Sequence, residues 1–203
     1  MNIEIKINKR PISYKYAIKF LEKRVSEIKE EKNIELLWIL EHPLTYTSGI
    51  RSKKNEILDK KIKVINTNRG GKITLHNPGQ KVIYFAINLN KRKKDIRKFI
   101  NVIEKSIIDF LRIYNIEGIA DKKNVGIWVH KKKIAAIGLR VSRWIAYHGF
   151  SINITNDLRD YNKIIPCGLD NKKITSVRQE NKKKLLNVEN HIAKIFIKNL
   201  NKI

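Results

Sequence analysis

The stretch KIAAIGLRVSRWIAYHGFSINI, residues 133–154, decides the fold class. Its two halves, Lys133–Val141 and Trp144–Ile154, are rich in β-branched and aromatic residues and predict two strands. A third strand is predicted at Gly126–His130, joined to the first by a tight basic turn at Lys131–Lys132. Strands joined by such short connections pair as antiparallel hairpins.

Helical and strand patterns precede and follow this stretch in the sequence. Apolar residues at three- and four-residue steps predict amphipathic helices, and short apolar or alternating runs predict strands. This mixture indicates one α+β domain over residues 1–203, with a mixed, mostly antiparallel sheet and flanking helices. The helices are predicted at Tyr14–Lys32, at Ile96–Tyr114 and after an N-cap at Asn187; the strands at Met1–Ile7, Ile34–Leu40 and Lys81–Leu89.

The composition predicts a cytoplasmic protein without a membrane segment. Hydrophobic residues make up 42% of the 203 residues, which is enough for a substantial core. No apolar run approaches the roughly 20 residues that a membrane span needs. The first residues alternate polar and apolar and lack the continuous apolar segment of a signal peptide.

The net charge of +25 comes from 44 Lys and Arg against 19 Asp and Glu. A polyanion such as nucleic acid is one interpretation of this excess. A genome rich in A and T is another, since the chain is also crowded with isoleucine and asparagine. The lysines are spread along the chain, and a basic surface equally suits an acidic protein partner. We therefore predict no nucleic-acid binding.

Cys167 is the only cysteine, so the chain has no internal disulfide and no cysteine-based zinc site. A lone cysteine is often a small buried hydrophobe. Here, however, Pro166 and Gly168 place it on a constrained loop, which suits a nucleophile. Both interpretations stay open on these residues alone.

Two further segments carry candidate site residues. The segment from Arg69 to Gln80 holds paired glycines, a histidine and an arginine, and is either a glycine-containing hairpin or a loop that a ligand approaches closely. In a regular strand Lys133 shares a face with Ala135, Ile137 and Leu139. It is either a solvated residue at the strand end or a partly desolvated amine beside an apolar chain.

Taken together, these segments resemble the lipoyl(octanoyl) transferase family, the octanoyltransferases of lipoate synthesis. The similarity runs from about Leu36 to Arg178. It rests on motifs that occur in the family's order: Leu40-Glu41-His42-Pro43, Tyr46-Thr47-Ser48-Gly49, Arg69 to Gln80, Lys133 to Val141, Arg143 to Asn153, Pro166-Cys167-Gly168 and Ile174-Thr175-Ser176-Val177.

The resemblance implies a fold like the catalytic domain of biotin and lipoate protein ligases. It implies that Cys167 carries the octanoyl group as a thioester and that Lys133 lies near the sulfur. It also implies an acyl pocket lined by Arg69, Gly70, Gly71, Lys72, Ile73, Thr74, Leu75, His76, Ala136, Ile137, Gly138, Gly149, Phe150 and Ser151.

The implied partners are acyl carrier protein as octanoyl donor, and as acceptors the lipoyl domains of 2-oxoacid dehydrogenases and the glycine-cleavage H protein. Arg69 and Arg140 are the candidates for a basic rim that meets the acidic donor. A thiolate is needed for thioester exchange, and a nearby ammonium favours it over the thiol, whose ordinary pKa is about 8.5. Because the donor is already a thioester, we expect no ATP, cofactor or metal.

The chain departs from the family's sequence pattern at two positions, and one rival interpretation of its function is close. Asn77 replaces a glycine of the usual His-Gly-Pro-Gly-Gln, so we expect a left-handed asparagine whose side chain narrows the pocket mouth. Ser142 stands where a second arginine is common, a surface difference. The rival is a lipoate or biotin ligase that activates a free acid with ATP, but such enzymes need no nucleophilic cysteine.

Overall fold

The computed structural model describes residues 2–121, 124–166 and 174–203. These residues form two β-sheets and four α-helices, as the predicted α+β class requires. The larger sheet has seven strands, and all its neighbouring pairs are antiparallel except one at the edge. Numbered along the chain, its strands lie in the spatial order β1 (Ile3–Ile7), β2 (Glu35–Leu40), β6 (Gln80–Asn88), β10 (Ile145–Asn153), β9 (Lys132–Ser142), β8 (Ile127–Val129) and β7 (Ile119–Ala120), with β1 parallel to β2.

Helices cover both faces of this sheet. Helix α1 (Tyr14–Lys29) packs on one face, where Leu21 belongs to the same buried apolar cluster as Leu36 and Trp38. Helices α2 (Ile96–Ile113) and α4 (Val188–Leu200) pack on the other. The four-residue helix α3 (Val177–Glu180) precedes α4. Because β2 and the centre of β6 are covered on both sides, their residues are apolar on both faces rather than alternately polar.

A smaller sheet lies beside the larger one. Its strands are β3 (Thr45–Ser48), β4 (Val64–Asn66) and β5 (Thr74–His76), with β3 in the centre, parallel to β4 and antiparallel to β5. Ile73 and Leu75 pack there against Tyr46, in a small apolar cluster of its own. This sheet carries the chain from the end of β2 to the start of β6.

Two local expectations differ from the structure. The turn between β8 and β9 consists of His130 and Lys131, one residue earlier than predicted, since Val129 pairs with Lys132. Both turn residues have positive φ, 47° and 64°, as a two-residue type I′ turn requires. Helix α4 begins at Val188 as predicted, but Asn187 is left-handed at φ 50° and its side chain caps nothing.

Gly149 is required by the close approach of β10 to β6. A Cβ atom there would lie 1.9 Å from the carbonyl oxygen of Ile83 and 2.9 Å from its carbon. We predict that Gly149→Ala lowers the free energy of unfolding by more than about 3 kcal/mol, because a buried backbone carbonyl cannot move aside. Gly70→Ala, which meets one carbonyl oxygen at 3.0 Å, is the milder comparison. Equal urea midpoints for the two variants would contradict this.

Candidate functional site

A cavity of about 290 Å³ lies on the α1 side of the large sheet. This volume is near the lower end of the range of small-ligand pockets, about 300–1,000 Å³. The floor comes from β6, β9 and β10, and the walls from the segment 69–76 and the segment before β8. Its lining residues are Tyr14, Arg51, Arg69, Gly71, Lys72, Thr74, His76, Val82, Tyr84, Asn124, Val125, Lys133, Ala136, Ile137, Gly138, His148, Gly149, Phe150 and Ser151.

Lys133 reaches this cavity because β9 contains a bulge. Ile127 pairs with Ala135 and Trp128 with Lys133, so Ile134 has no partner on β8. Ile134 and Ala135 therefore both belong to the apolar core, whereas Lys133 lines the cavity together with Ala136. The expected shared face of Lys133 and Ala135 is wrong, since the extra residue reverses the alternation between them.

The Lys133 side chain is buried, with 5% of its surface exposed. Its Nζ donates a hydrogen bond to the carbonyl oxygen of Val125 at 2.9 Å and lies 5.5 Å from the centre of the Trp128 ring. The aliphatic stem runs across Gly126, where a Cβ atom would lie 2.5 Å from Cε. Of the two interpretations that the sequence left open, the desolvated amine is therefore the one found.

Described residues before and after the predicted nucleophile lie close to Lys133. Pro166 and Ile174 line a narrow recess that Lys133, Ala136 and Ser151 also line. Ile174 forms an isolated parallel β-bridge with Lys133, and the amide of Thr175 donates a hydrogen bond to the Lys133 carbonyl oxygen at 2.9 Å. Cys167 and Gly168 lie outside the described residues.

Arg69 is an internal brace of the cavity wall. Its Nη2 donates to the carbonyl oxygen and to Oγ1 of Thr47, each at 2.8 Å, and Nη1 donates to the Gly70 carbonyl oxygen at 3.0 Å. It is 8% exposed. The expectation that Arg69 belongs to a basic rim is therefore wrong, since its guanidinium donates hydrogen bonds to groups inside the protein.

Glycines let the wall lie against the floor. A Cβ atom on Gly138 would lie 3.3 Å from the Gly70 carbonyl oxygen, and one on Gly49 would lie 2.4 Å from that of Gly71. The amide of Arg51 also donates to the Gly71 carbonyl oxygen, at 3.1 Å. The segment from Gly49 to Arg51 thereby fixes the glycine loop, which is the loop around Gly70 and Gly71, over β9.

Aromatic and imidazole rings form one polar part of the cavity region. His76 donates from Nδ1 to Gln80 Oε1 at 2.7 Å, because the Gln80 amide nitrogen itself donates to the Leu75 carbonyl oxygen. His42 donates from Nδ1 to the Ile12 carbonyl oxygen and accepts from the Tyr84 hydroxyl at Nε2. These bonds fix both rings in the tautomer that is protonated at Nδ1.

The imidazoles in this region stay neutral at physiological pH. Burial lowers the pKa of His42 to about 4 and that of His76 to about 3, in His76 with a further contribution from His42. Burial, with Arg69 and Arg140 nearby, lowers the pKa of His148 to about 4. Charge in the cavity therefore comes from the lysines and arginines.

The described residues that line the cavity include four cations and no carboxylate: Arg51, Arg69, Lys72 and Lys133. Lys72 is paired with Glu56, Nζ to Oε1 at 3.1 Å. Arg51 is exposed and is the outermost of the four, whereas Arg140, the second expected rim residue, is exposed but does not line the cavity. The positive potential suits a thiolate or an anionic donor.

Asn77 does not narrow the mouth of the cavity. Its side chain is 3% exposed, donates to the Asp157 carbonyl oxygen at 2.8 Å and accepts from Asn156 at 3.0 Å, away from the cavity. The left-handed residue of this turn is Gly79, at φ 87°. The expected effect of Asn77 on the pocket is therefore wrong, because the turn places the side chain against residues 156–157.

The chain matches known proteins over most of its length. Residues 13–197 match the model of the lipoyl protein ligase A/B catalytic domain. An octanoyltransferase from Wolbachia sp. subsp. Brugia malayi is 40% identical over 97% of this chain and 98% of its own. The chain belongs to the octanoyltransferase family. Members of this family are acyltransferases, as the motifs in the sequence predicted.

Solved structures show the same fold at low sequence identity. A putative lipoate protein ligase from T. acidophilum with bound lipoic acid superposes with a TM-score of 0.75 at 14% identity, over 99% of this chain and 87% of its own. Lipoate-protein ligase A bound with ATP gives a TM-score of 0.78 at 14% identity, over 99% and 86%. The predicted likeness to the ligase catalytic domain is confirmed.

The structure brings most of the predicted pocket residues of the enzyme together, but not all. Gly70 packs against the backbone of β9, while Ile73 and Leu75 point into the core of the small sheet. Strand alternation explains this, since Lys72, Thr74 and His76 lie on the cavity side. The cavity residues that sequence reasoning missed are Tyr14, Arg51, Val82, Tyr84, Asn124, Val125 and His148.

No group of three or more His, Cys, Asp or Glu side chains within the described ranges is placed to bind a metal ion. No helix in these ranges is both long and apolar enough to cross a membrane.

The neutral buried histidines predict acid sensitivity. Below the unfolded-state pKa of about 6.5 the unfolded chain binds protons that the folded enzyme does not bind until about pH 4. Each such histidine then lowers the free energy of unfolding by about 1.4 kcal/mol per pH unit. We predict that the free energy of unfolding falls as pH falls from about 6.5 to 4. In His148→Asn the slope of this fall should be smaller by the contribution of one histidine, about 1.4 kcal/mol per pH unit. Asparagine tolerates the left-handed backbone there, at φ 66°.

Urea unfolding at several pH values measures this slope. His130→Asn is the matched control, because His130 is also left-handed, at φ 47°, but exposed. A slope in His148→Asn equal to that of the parent enzyme would show that His148 is not buried in its neutral form.

Proposed function

We propose that the enzyme transfers an octanoyl group from acyl carrier protein to a lysine of lipoyl domains and of the glycine-cleavage H protein. Cys167 carries the group as a thioester. This is the first step of protein lipoylation by endogenous synthesis, and we assign it to the cytoplasm. No cofactor or nucleic acid takes part in the proposed reaction.

One observation carries the proposal: the bulge in β9 directs a buried lysine amine toward the cavity, and the same lysine lines a recess with the residue before Cys167. Pro166 and Lys133 line the same recess. Cys167 follows Pro166 in the sequence, and a thiol with an amine beside it forms a nucleophile and its activating group.

In the first half-reaction the Cys167 thiolate attacks the carbonyl carbon of the donor thioester. The new carbon–sulfur bond forms as the bond to the donor's sulfur breaks. The Lys133 ammonium stabilises the attacking thiolate and then gives its proton to the departing thiolate of the donor. Lys133 is left as a neutral amine, and the octanoyl group is on Cys167.

In the second half-reaction the neutral Lys133 amine takes a proton from the amine of the acceptor lysine. That amine attacks the thioester carbonyl, an amide bond forms, and the Cys167 thiolate leaves. The Lys133 ammonium and the Cys167 thiolate are thereby restored, so the cycle balances without ATP.

The floor of the cavity suits an acyl chain. Val82, Ala136, Ile137 and Phe150 supply apolar surface, and the paired Gly138 and Gly149 leave the floor without side chains. We therefore place the octanoyl group along β9 and β10.

The rival is a lipoate ligase, since such ligases share the fold. The level of identity separates the two: 40% to the octanoyltransferase, against 14% to the ATP-bound ligase.

Cys167→Ala should abolish octanoyl transfer to a lipoyl domain, with a loss of at least a thousandfold, while the fold remains intact. The parent enzyme should need a thioester donor and should neither require ATP nor catalyse ATP–pyrophosphate exchange. The assay follows octanoylation of the lipoyl domain by mass. Turnover of the variant within tenfold of the parent, or transfer of free octanoate that depends on ATP, would refute the thioester route.

The donor should meet the cavity at Arg51, which replaces Arg69 as the candidate rim residue. A cation at the mouth raises the encounter rate with an acidic carrier more than it raises the final affinity. We predict that Arg51→Gln lowers kcat/KM for carrier-bound octanoate about two- to fivefold. Added salt should reduce this difference, because the Debye length is about 8 Å at physiological ionic strength.

The controls separate steering from a general effect. Arg97→Gln changes an exposed arginine on α2, on the opposite face of the sheet, and should leave kcat/KM unchanged. The neutral donor octanoyl-N-acetylcysteamine should react equally with the parent enzyme and Arg51→Gln. Equal losses with both donors would exclude a steering role for Arg51.

A further inference from the structure

The buried amine of Lys133 is held by the segment that enters β8. Its Nζ meets the Val125 carbonyl oxygen at 2.9 Å on one side and the face of Trp128 at 5.5 Å on another. A carbonyl oxygen and an aromatic face both attract an ammonium group. Within the described residues, the segment Val125–Trp128 therefore supplies two attractive partners for the amine.

Trp128 is itself fixed. Its indole Nε1 donates to the Asn124 carbonyl oxygen at 3.0 Å, its Cα is the cross-strand partner of Lys133, and only 4% of its surface is exposed. Asn124 in turn is tied to Asp121 by bonds of 3.1 and 2.9 Å. The ring cannot turn away from Lys133 without breaking these contacts.

Gly126 completes the arrangement. At φ 142° it adopts a conformation that disfavours other residues. A Cβ atom there would lie 2.5 Å from Cε of Lys133 and 2.6 Å from the Ala135 carbonyl oxygen. The absence of a side chain lets the lysine stem lie flat against the segment, so that Nζ reaches the Val125 carbonyl.

We propose that Trp128 is a positioning residue: together with the Val125 carbonyl it holds the Lys133 amine where it activates the catalytic thiol. The inference rests on the proposed function, because it gives Trp128 a role that acts only through Lys133. Trp128 touches neither the donor nor the acceptor in this scheme. When the Trp128 ring is removed, the Lys133 amine is still present, but it is no longer held in the orientation that activates the thiol.

The experiment uses the full chain and its single cysteine. The rate of alkylation by iodoacetamide, followed against pH, reports on Cys167 alone. Trp128→Leu should move the midpoint of this profile to higher pH, in the same direction as Lys133→Met but by less. It should lower kcat/KM for octanoyl transfer about tenfold. Trp128→Phe, which keeps an aromatic face but lacks the Nε1 donor, should fall between the parent and Trp128→Leu.

The double variant shows whether Trp128 acts through Lys133. Once Lys133→Met is present, adding Trp128→Leu should change neither the alkylation profile nor the transfer rate further. Additive losses would overturn the inference, as would a Trp128→Leu profile identical to that of the parent. Trp144→Phe changes a tryptophan in the turn between β9 and β10 and serves as the control, with no expected effect.

Two failures remain distinguishable. If Lys133→Met shifts the profile and neither Trp128 variant does, the positioning role fails and the proposed function stands. If Lys133→Met itself leaves the profile and the transfer rate unchanged, activation by Lys133 fails and the role of Trp128 fails with it. Trp128→Phe decides the matter should Trp128→Leu not fold.

Discussion

One extra residue in a β-strand organises this site. A regular β9 would send Lys133 to the same face as Ala135, into the apolar core beneath α2 and α4. Because Ile134 has no partner on β8, the alternation reverses there, and the chain keeps its apolar residues in the core while Lys133 enters the cavity. Burial of an amine is costly unless it finds partners. The Val125 carbonyl and the Trp128 ring supply them.

The remaining walls follow from that placement. The glycine loop lies close over β9, where a Cβ atom on Gly138 would be 3.3 Å from the Gly70 carbonyl oxygen, and β10 can approach β6 only because Gly149 has no side chain. Arg69 then braces the loop on Thr47 of the small sheet. The imidazoles in this region are neutral, so that the charged side chains among the described residues lining the cavity are all cations. A positive, partly apolar cavity is consistent with thiolate chemistry on an acyl chain.

The sequence predicted the elements well and the fine geometry less well. Long periodic segments such as Ile96–Ile113 were predicted nearly to their ends, because periodicity of that length has one explanation. The bulge at Ile134 was not predictable, since nothing in an apolar run shows which residue will lack a partner. The buried state of Arg69 and the orientation of Asn77 also depend on segments distant in sequence, Thr47 and residues 156–157. Tyr14 and Tyr84 were missed because on a helix and a strand they resemble ordinary core residues.

The most direct test of the central claim is the mass of the intact enzyme after incubation with octanoyl-carrier protein in the absence of any acceptor. The account predicts a single added octanoyl group that peptide mapping places on Cys167. It also predicts that this group is released by hydroxylamine, as a thioester is, and passes to a lipoyl domain when one is supplied. An unmodified enzyme that still transfers the group at full rate, or an octanoyl group found on another residue, would contradict it.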